Sequence, residues 1–453
     1  MTRKSIHGEW SSRWIFILAA TGSAVGLGNI WKFPYMAGEN GGGAFVLIYL
    51  ICIASMGIPI MMAEVLIGRR GRQSPVNTMI TLAREENANK HWVWLGWSGV
   101  VAGFLILSYY SVIAGWTLAY ILNAVTGTFT GMDGKAVEGV FNELTKSPGA
   151  LIFWHSLFML LTMIVVARGV QQGLEKAIRF LMPALFTLLI ILVGYALSTD
   201  AFTKGLDFLF TPDFSKISTE GVIKALGHAF FTLSLGMGAI MIYGSYMPHD
   251  ASIAKTPVTV AVADTVVALL AGMAIFPIVF ANGLEPGAGP GLVFVTLPIA
   301  FGQMPGGVFF GTIFFVLLTF AAWSSSISLI EPFVAWLVEN KNMTRNRASI
   351  LSGTVTWVIG FGTILSFNKW EDIKLGGKTF FGWLDFLTSN IMLPLGGLLI
   401  GVFAAWVIKK QSSIDELGLG DGTAYQAWSL LTKYFTPIAI GLVFLYSVGV
   451  ISF

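Results

Sequence analysis

Two glycine-rich stretches lie inside long apolar runs, where glycine is a poor choice. GSAVGLGNIWKFP occupies residues 22–34, and SLGMG occupies residues 234–238. Glycine weakens a helix interior by about 1 kcal/mol and proline by about 3 kcal/mol relative to alanine, so both runs are expected to break in their middle. A break in hydrocarbon leaves backbone N–H and C=O groups unpaired, at several kcal/mol each, unless a ligand takes them up. Freed carbonyl oxygens suit a hard cation. The N-terminus of a half-helix suits a carboxylate. The chemistry this combination supports is joint binding of Na⁺ and an amino-acid carboxylate. Close helix packing through small residues is the plainer reading of either stretch alone. Two such stretches at matching places, one of them beside Asn29, favour ligand binding.

Other chemistries find little support. GGKT (376–379) lacks the first glycine of a phosphate loop, because position 372 is Asp372. The 5 histidines show no metal-ligand spacing, and the 1 cysteine, Cys52, excludes an internal disulfide. No hydrolase nucleophile motif is present. The chain is not read as an enzyme, and no nucleic-acid partner is expected.

The elements that must position these residues are membrane spans. The chain is 55% hydrophobic and 11% charged, against about 25% charged in soluble domains. With roughly 20 apolar residues needed per crossing, about eleven spans are expected. They cover about 12–36, 42–68, 91–124, 150–167, 175–197, 221–247, 256–281, 306–338, 347–366, 380–408 and 426–451. The protein is therefore read as an all-α integral membrane protein surrounded by lipid. Every arginine falls on the face that receives the N-terminus, including RRGR-type runs at 69–72 and Arg345 and Arg347. By the positive-inside rule that face is cytoplasmic in a cell (inner or plasma) membrane, and an odd number of spans places the C-terminus outside. The outer loop 126–148 is expected to hold a short helix, and 412–426 to be a polar inner loop. The two broken spans are the first and the sixth, so they cross in opposite directions.

GSAVGLGNIWKFP, ENGGGAF (39–45), GIPIMMAEVLIG (57–68), FFTLSLGMGA (230–239) and SSSISLIEP (324–332) together resemble the neurotransmitter:sodium symporter family, over nearly the whole chain. The resemblance implies a five-plus-five inverted repeat of the bacterial leucine-transporter type, with discontinuous helices 1 and 6. The repeats would cover about 10–197 and 221–408, with an extra helix at 426–451. It implies import of amino acids coupled to two Na⁺ ions. The first sodium site would use the carbonyl of Ala24, the side chains of Asn29, Thr232 and Asp264, and the substrate carboxylate. The second would use carbonyls of Gly22, Val25 and Ala321 with the hydroxyls of Ser324 and Ser325.

Asp264 departs from the Asn usual in the family. Ala268 stands where an acid or a chloride-binding Ser is usual, and His228 where Gln is usual, while Tyr49 is retained. The resemblance therefore implies that Asp264 both binds sodium and replaces chloride. Charge balance agrees: two buried Na⁺ and one substrate carboxylate leave a surplus that a buried carboxylate offsets. An acid lining a water-filled vestibule is the plainer alternative.

The implied substrate pocket comprises Ala24, Gly26, Leu27, Gly28, Ile106, Tyr110, Phe231, Thr232, Ser234, Met237, Ser325 and Leu329. Gly26 stands where amine carriers have Asp, which leaves room for an ordinary α-amino acid. Tyr110 would hydrogen-bond its carboxylate. The wall is otherwise apolar, and Met237 is adaptable, so the substrate class is hydrophobic L-amino acids, aliphatic and aromatic, tryptophan included. Lys32 and Asp385 match the outer gate pair, and Lys lacks the bidentate grip of the commoner Arg. Trp10 would plug the inner face, with Glu339 paired to Arg3 or Lys4, because His7 and Asn340 replace the usual Arg and Asp. Glu64 would tie down unwound backbone. In GLEKAIRFLMP (173–183), Gly173 and Pro183 are expected to let the inner end of the fifth span unwind and admit water. A monomer is the simplest assembly. Two rival readings remain: proton-driven amino-acid transport on the same fold, through Asp264 or Glu64, and a receptor or channel without coupling.

Overall fold

The glycine-rich interruptions are where the backbone leaves the helix. The computed structural model describes residue 3, residues 5–286 and residues 291–451. Lys4 and the last two residues, Ser452 and Phe453, on which two expectations fall, lie outside the described residues. The chain is almost entirely helical, with two isolated β-bridges among the described residues.

Among the described residues, 9 helices are long and apolar enough to cross a membrane: Gly43–Gly71, Lys90–Val125, Pro148–Ala167, Val170–Ala196, Lys255–Ala281, Gly307–Lys341, Arg345–Ser366, Phe380–Val407 and Thr423–Ser447. The first expected span is the bent pair Arg13–Ala24 and Gly28–Glu39, with a 52° change of direction. The sixth is more thoroughly broken than a single interrupted span. Its parts are Thr219–Thr232 and Ala239–Ser245, each too short to cross alone. Residues between them turn through left-handed backbone at Ser234 (φ 55°), Gly236 (φ 81°) and Gly238 (φ 76°). Gly236 and Gly238 adopt such angles without penalty. Ser234 does not, and its strained conformation marks a place that the surroundings hold in shape.

The core is the contact between Lys90–Val125 and Gly307–Lys341, the two most enclosed spans. Gly103 allows it: a Cβ there would stand 2.7 Å from the carbonyl oxygen of Leu329. Both broken segments lie against this pair. Glu64, fully buried on the second span, accepts the N–H of Gly236 at 3.1 Å and of Met241 at 3.3 Å. Its carboxylate thus satisfies backbone that the break would otherwise leave unpaired.

Three details differ from expectation or extend it. The outer loop carries the helix Gly134–Lys146, as expected. The stretch Leu292–Gln303, left unassigned in the sequence, is a twelve-residue apolar helix that folds back over the bundle. Its Phe294 packs edge-on against Trp31 at 5.9 Å and Trp116 at 5.5 Å. The inner end of the fifth span is wound rather than open. Val170–Glu175 forms π-helical turns, and Lys176–Ala196 runs as α-helix straight through Pro183.

Candidate functional site

The break at Val25–Leu27 points backbone carbonyls and amides toward the sixth segment. Val25 is extended (ψ 106°), and the chain re-enters helical turns at Gly28. That geometry turns Asn29 inward, where it is fully buried. Its Nδ2 donates to Asp264 Oδ1 at 2.7 Å, and its Oδ1 accepts from the N–H of Gly26 at 3.1 Å. Thr232, the last residue of its half-helix, donates from Oγ1 to Asp264 Oδ2 at 3.1 Å. Asn29, Thr232 and Asp264 are thus one cluster of oxygen ligands, and Ala24 lies beside it at the end of its half-helix.

The second expected set also converges. Ser325 Oγ lies 3.5 Å from the carbonyl oxygen of Gly22, 3.2 Å from that of Ser23 and 3.2 Å from that of Val25. The neighbouring Ser324 donates to the carbonyl of Ala321 at 3.0 Å. The carboxylate, hydroxyl and carbonyl oxygens of the two clusters are the atom type a hard alkali cation prefers, while the Asn29 Nδ2 faces Asp264 as a hydrogen-bond donor.

Between the breaks lies a small pocket of about 60 Å³. All the residues expected around a substrate line it, from Ala24 and Gly26 to Ser325 and Leu329, joined by Ser23 and Tyr109. Tyr110 Oη accepts the N–H of Leu27 at 3.3 Å. Ser234 donates to the carbonyl of Ser23 at 2.8 Å, which ties the two breaks together and explains the strained backbone there. Sequence reading missed Ser23 and Tyr109. Ser23 carried a signal, a hydroxyl inside the glycine run. Tyr109 carried only its adjacency to Tyr110, and a helix turns neighbours to different faces.

Directly over this pocket, a cavity of about 420 Å³ shares Leu27, Gly28, Tyr109, Tyr110 and Phe231 with it. Phe231 and Tyr110 therefore form the partition. Lys32 and Asp385 both line the upper cavity but make no ion pair there. The Lys32 ammonium lies 4.4 Å over the Phe231 ring, and Asp385 accepts from Ser389 Oγ at 3.0 Å.

The N-terminal face is sealed. Trp10 is buried, donates from Nε1 to the carbonyl of Tyr243 at 3.2 Å, and packs edge-on against Tyr243 and Tyr246. Glu339 is in the seal, but with a partner other than Arg3. His7 Nε2 meets its Oε1 at 3.0 Å, and Ser74 and Asn77 supply further donors. Arg3 instead pairs with Glu85 and bonds the carbonyl of Arg70 at 3.1 Å. The reason is reach: Arg3 lies beside the Arg70 turn, whereas His7 packs at a tilt against Tyr246, with ring centroids 5.8 Å apart, and meets Glu339.

A ligand pocket in the middle of a helical membrane bundle, with a cavity on one side and a sealed face on the other, defines a transporter. The chain belongs to the Sodium:neurotransmitter symporter family, whose model matches residues 7–133 and 137–452. It is similar to the sodium-dependent transporter YhdH of Bacillus subtilis (strain 168), at 39% identity over 448 residues and 98% of each chain. A sodium-dependent transporter of Haemophilus influenzae is 34% identical over 451 residues, covering 98% of this chain and 99% of that one. Among solved structures, MhsT in complex with L-phenylalanine superposes with a TM-score of 0.89 at 44% identity, over 97% of this chain and 99% of that one. The protein is a multi-pass, sodium-dependent membrane transporter with the fold of the leucine-transporter type.

Proposed function

We propose that the protein imports hydrophobic L-amino acids, aliphatic and aromatic, by symport with two Na⁺ ions, by alternating access and without chloride. The observation that carries this reading is the single pocket between the two breaks, where oxygen ligands on one side face the apolar wall of Leu27, Ile106, Met237 and Leu329 on the other. The MhsT structure, which holds L-phenylalanine, supports the same substrate class.

In this reading the substrate carboxylate sits between Tyr110 Oη, the amides of Leu27 and Gly28, and the first sodium ion. The pocket of about 60 Å³ is the liquid volume of only about two waters. A hydrophobic amino acid enters when Phe231 and Met237, side chains at its edge, swing away. The cavity above is the outer vestibule, and the Trp10 seal is the cytoplasmic gate. The halves 10–197 and 221–408 move against each other around the fixed site, with 426–451 as an added helix. Each Na⁺ gains about 2.3 kcal/mol per 100 mV of membrane potential, which drives accumulation. Asp264, buried and bonded to Asn29 and Thr232, supplies the fixed negative charge that chloride would otherwise bring.

The test is radiolabelled uptake into sealed vesicles, with Na⁺ or K⁺ outside, gluconate in place of chloride, and twenty amino acids as competitors. Sodium-dependent, chloride-independent uptake that hydrophobic competitors suppress is the expected result. Uptake in sodium-free buffer driven by a pH gradient would assign the coupling to protons instead.

A further inference from the structure

We propose that the N-terminal face holds the phosphate head group of an anionic phospholipid, in a groove between the short helix Pro75–Glu85 and the start of the span Lys90–Val125. The cavity there has a volume of about 520 Å³, and Ile80, Arg84, Lys90, His91, Val93 and Trp94 line it.

Charge is the first argument. Arg84 and Lys90 are in the lining, and no acid is. The acids next to them in sequence are already committed. Glu85 pairs with Arg3 and with Arg70 at 3.5 Å, and Glu86 pairs with Arg70 at 2.6 Å and accepts the backbone N–H of Lys409 at 3.2 Å. Among the described residues, neither Arg84, Lys90 nor the His91 ring takes part in any ion pair or side-chain hydrogen bond. Elsewhere on this face Arg69 grips Glu416, Arg72 meets Glu9 and Arg345 pairs with Glu331, while among the described residues Arg13, Arg168 and Arg347 make no ion pair. The groove therefore brings two bases together in one lining with no acid to match them.

Apolar contact is the second argument. Pro75–Glu85 buries Val76, Met79 and Leu82 against the bundle. Ile80 and Arg84, one turn apart, share a flank that faces away. Ile80 is 41% exposed and Trp94 is 67% exposed, both beside the basic side chains. Water solvates the cations well but not these two. An amphipath satisfies both, with its phosphate on Arg84 and Lys90 and its acyl chains along Ile80, Val93 and Trp94.

Position is the third. The groove sits where the spans Gly43–Gly71 and Lys90–Val125 end on this face, the depth at which head groups lie. Tryptophan is favoured there, and basic side chains beside a span attract anionic lipid. The inference does not depend on which amino acid is carried or on the ions that drive it.

Native mass spectrometry of the full-length protein tests it, with phosphatidylglycerol and phosphatidylcholine of the same acyl chains offered at equal concentration. Preferential retention of phosphatidylglycerol is expected. The double variant Arg84→Gln/Lys90→Gln should weaken it on the order of tenfold, while Lys433→Gln, a lysine packed over Trp406 elsewhere on the surface, should leave it unchanged. Trp94→Ala, which keeps both charges, should also weaken it, and gives a reading even if the double variant is poorly expressed. Equal retention of the two lipids, or undiminished phosphatidylglycerol retention in both the double variant and Trp94→Ala, would overturn the proposal. Displacement of the lipid by inorganic phosphate would also overturn it, by showing a site for the free anion.

Discussion

Lys32 rests its ammonium 4.4 Å above the Phe231 ring, and the aromatic face, not the Asp385 carboxylate, is its partner. One side chain thus belongs both to the partition over the pocket and to the wall of the vestibule above it. In the proposed reading the outer gate closes when Lys32 reaches Asp385, which lines the same cavity. A cation over an aromatic ring contributes about 0.5–1 kcal/mol at an exposed site and more when desolvated. Phe231→Leu removes that seat and thins the partition. Bound amino acid should then dissociate faster, on the order of tenfold, in a chase of radiolabelled substrate from the purified protein. An unchanged off-rate would show that Phe231 is not the lid.

Among the described residues, Asp264 is the only carboxylate bonded to Asn29 and Thr232. Asp264→Asn keeps the shape and removes the charge. Sodium affinity should fall by on the order of tenfold or more, an effect of about 1.4 kcal/mol. Chloride should now stimulate uptake, because the buried positive surplus lacks its fixed partner. Sodium binding and uptake measured with and without chloride check both statements. Chloride-indifferent activity in the variant would refute the charge-balance role.

Gly26 has no room for even one carbon. A Cβ there would stand 2.6 Å from Ser325 Oγ and 3.0 Å from Tyr110 Oη. Overpacking of this kind costs about 1–3 kcal/mol, and here the strain falls on two groups to which the proposed function gives a part in binding. Gly26→Ala is expected to cut substrate binding at least tenfold while thermal unfolding shifts little. Equilibrium binding of labelled amino acid measures it, and wild-type affinity would contradict the pocket assignment.

Glu64 separates the structural reading from proton coupling. Its carboxylate accepts the amides of Gly236 and Met241. Gln offers one acceptor oxygen and sets an NH₂ against a backbone donor. Leaving a buried donor unpaired costs about 1–3 kcal/mol, so Glu64→Gln should unfold at a lower temperature in detergent. The sodium dependence of residual uptake should persist. A variant of normal thermal stability that had lost only a pH-driven component would make Glu64 a proton carrier.

Much of the site was legible because its cause is local. Single glycines such as Gly103 sit in unbroken spans, but the clustered glycines of the two runs at 22–34 and 234–238 mark the positions at which the helices part. Asn29 stood out as a polar residue beside the first glycine run, and Asp264 through the family resemblance, as an acid where Asn is usual. The bend of 52° and the left-handed turn at Ser234 were not legible. They depend on what each half-helix packs against.

The seal on the N-terminal face shows the same division. Sequence singled out Trp10 and Glu339 and offered Arg3 or Lys4 as the partner; Lys4 lies outside the described residues, Arg3 pairs elsewhere, and the fold brings His7 to Glu339 at 3.0 Å. Those two residues are 332 positions apart, and no period or spacing relates them. Likewise, Leu292–Gln303 is too short to span, so hydropathy alone could not say where it goes. Its Phe294 finds Trp31 and Trp116 only once the bundle exists. Composition and glycine placement determined that this chain crosses a membrane many times and breaks twice, since desolvating a peptide group costs the same in any surroundings of hydrocarbon. The tertiary structure decided which side chains close the pocket and the gates. Contacts between distant helices follow from their crossing angles and rotations, which no single segment encodes.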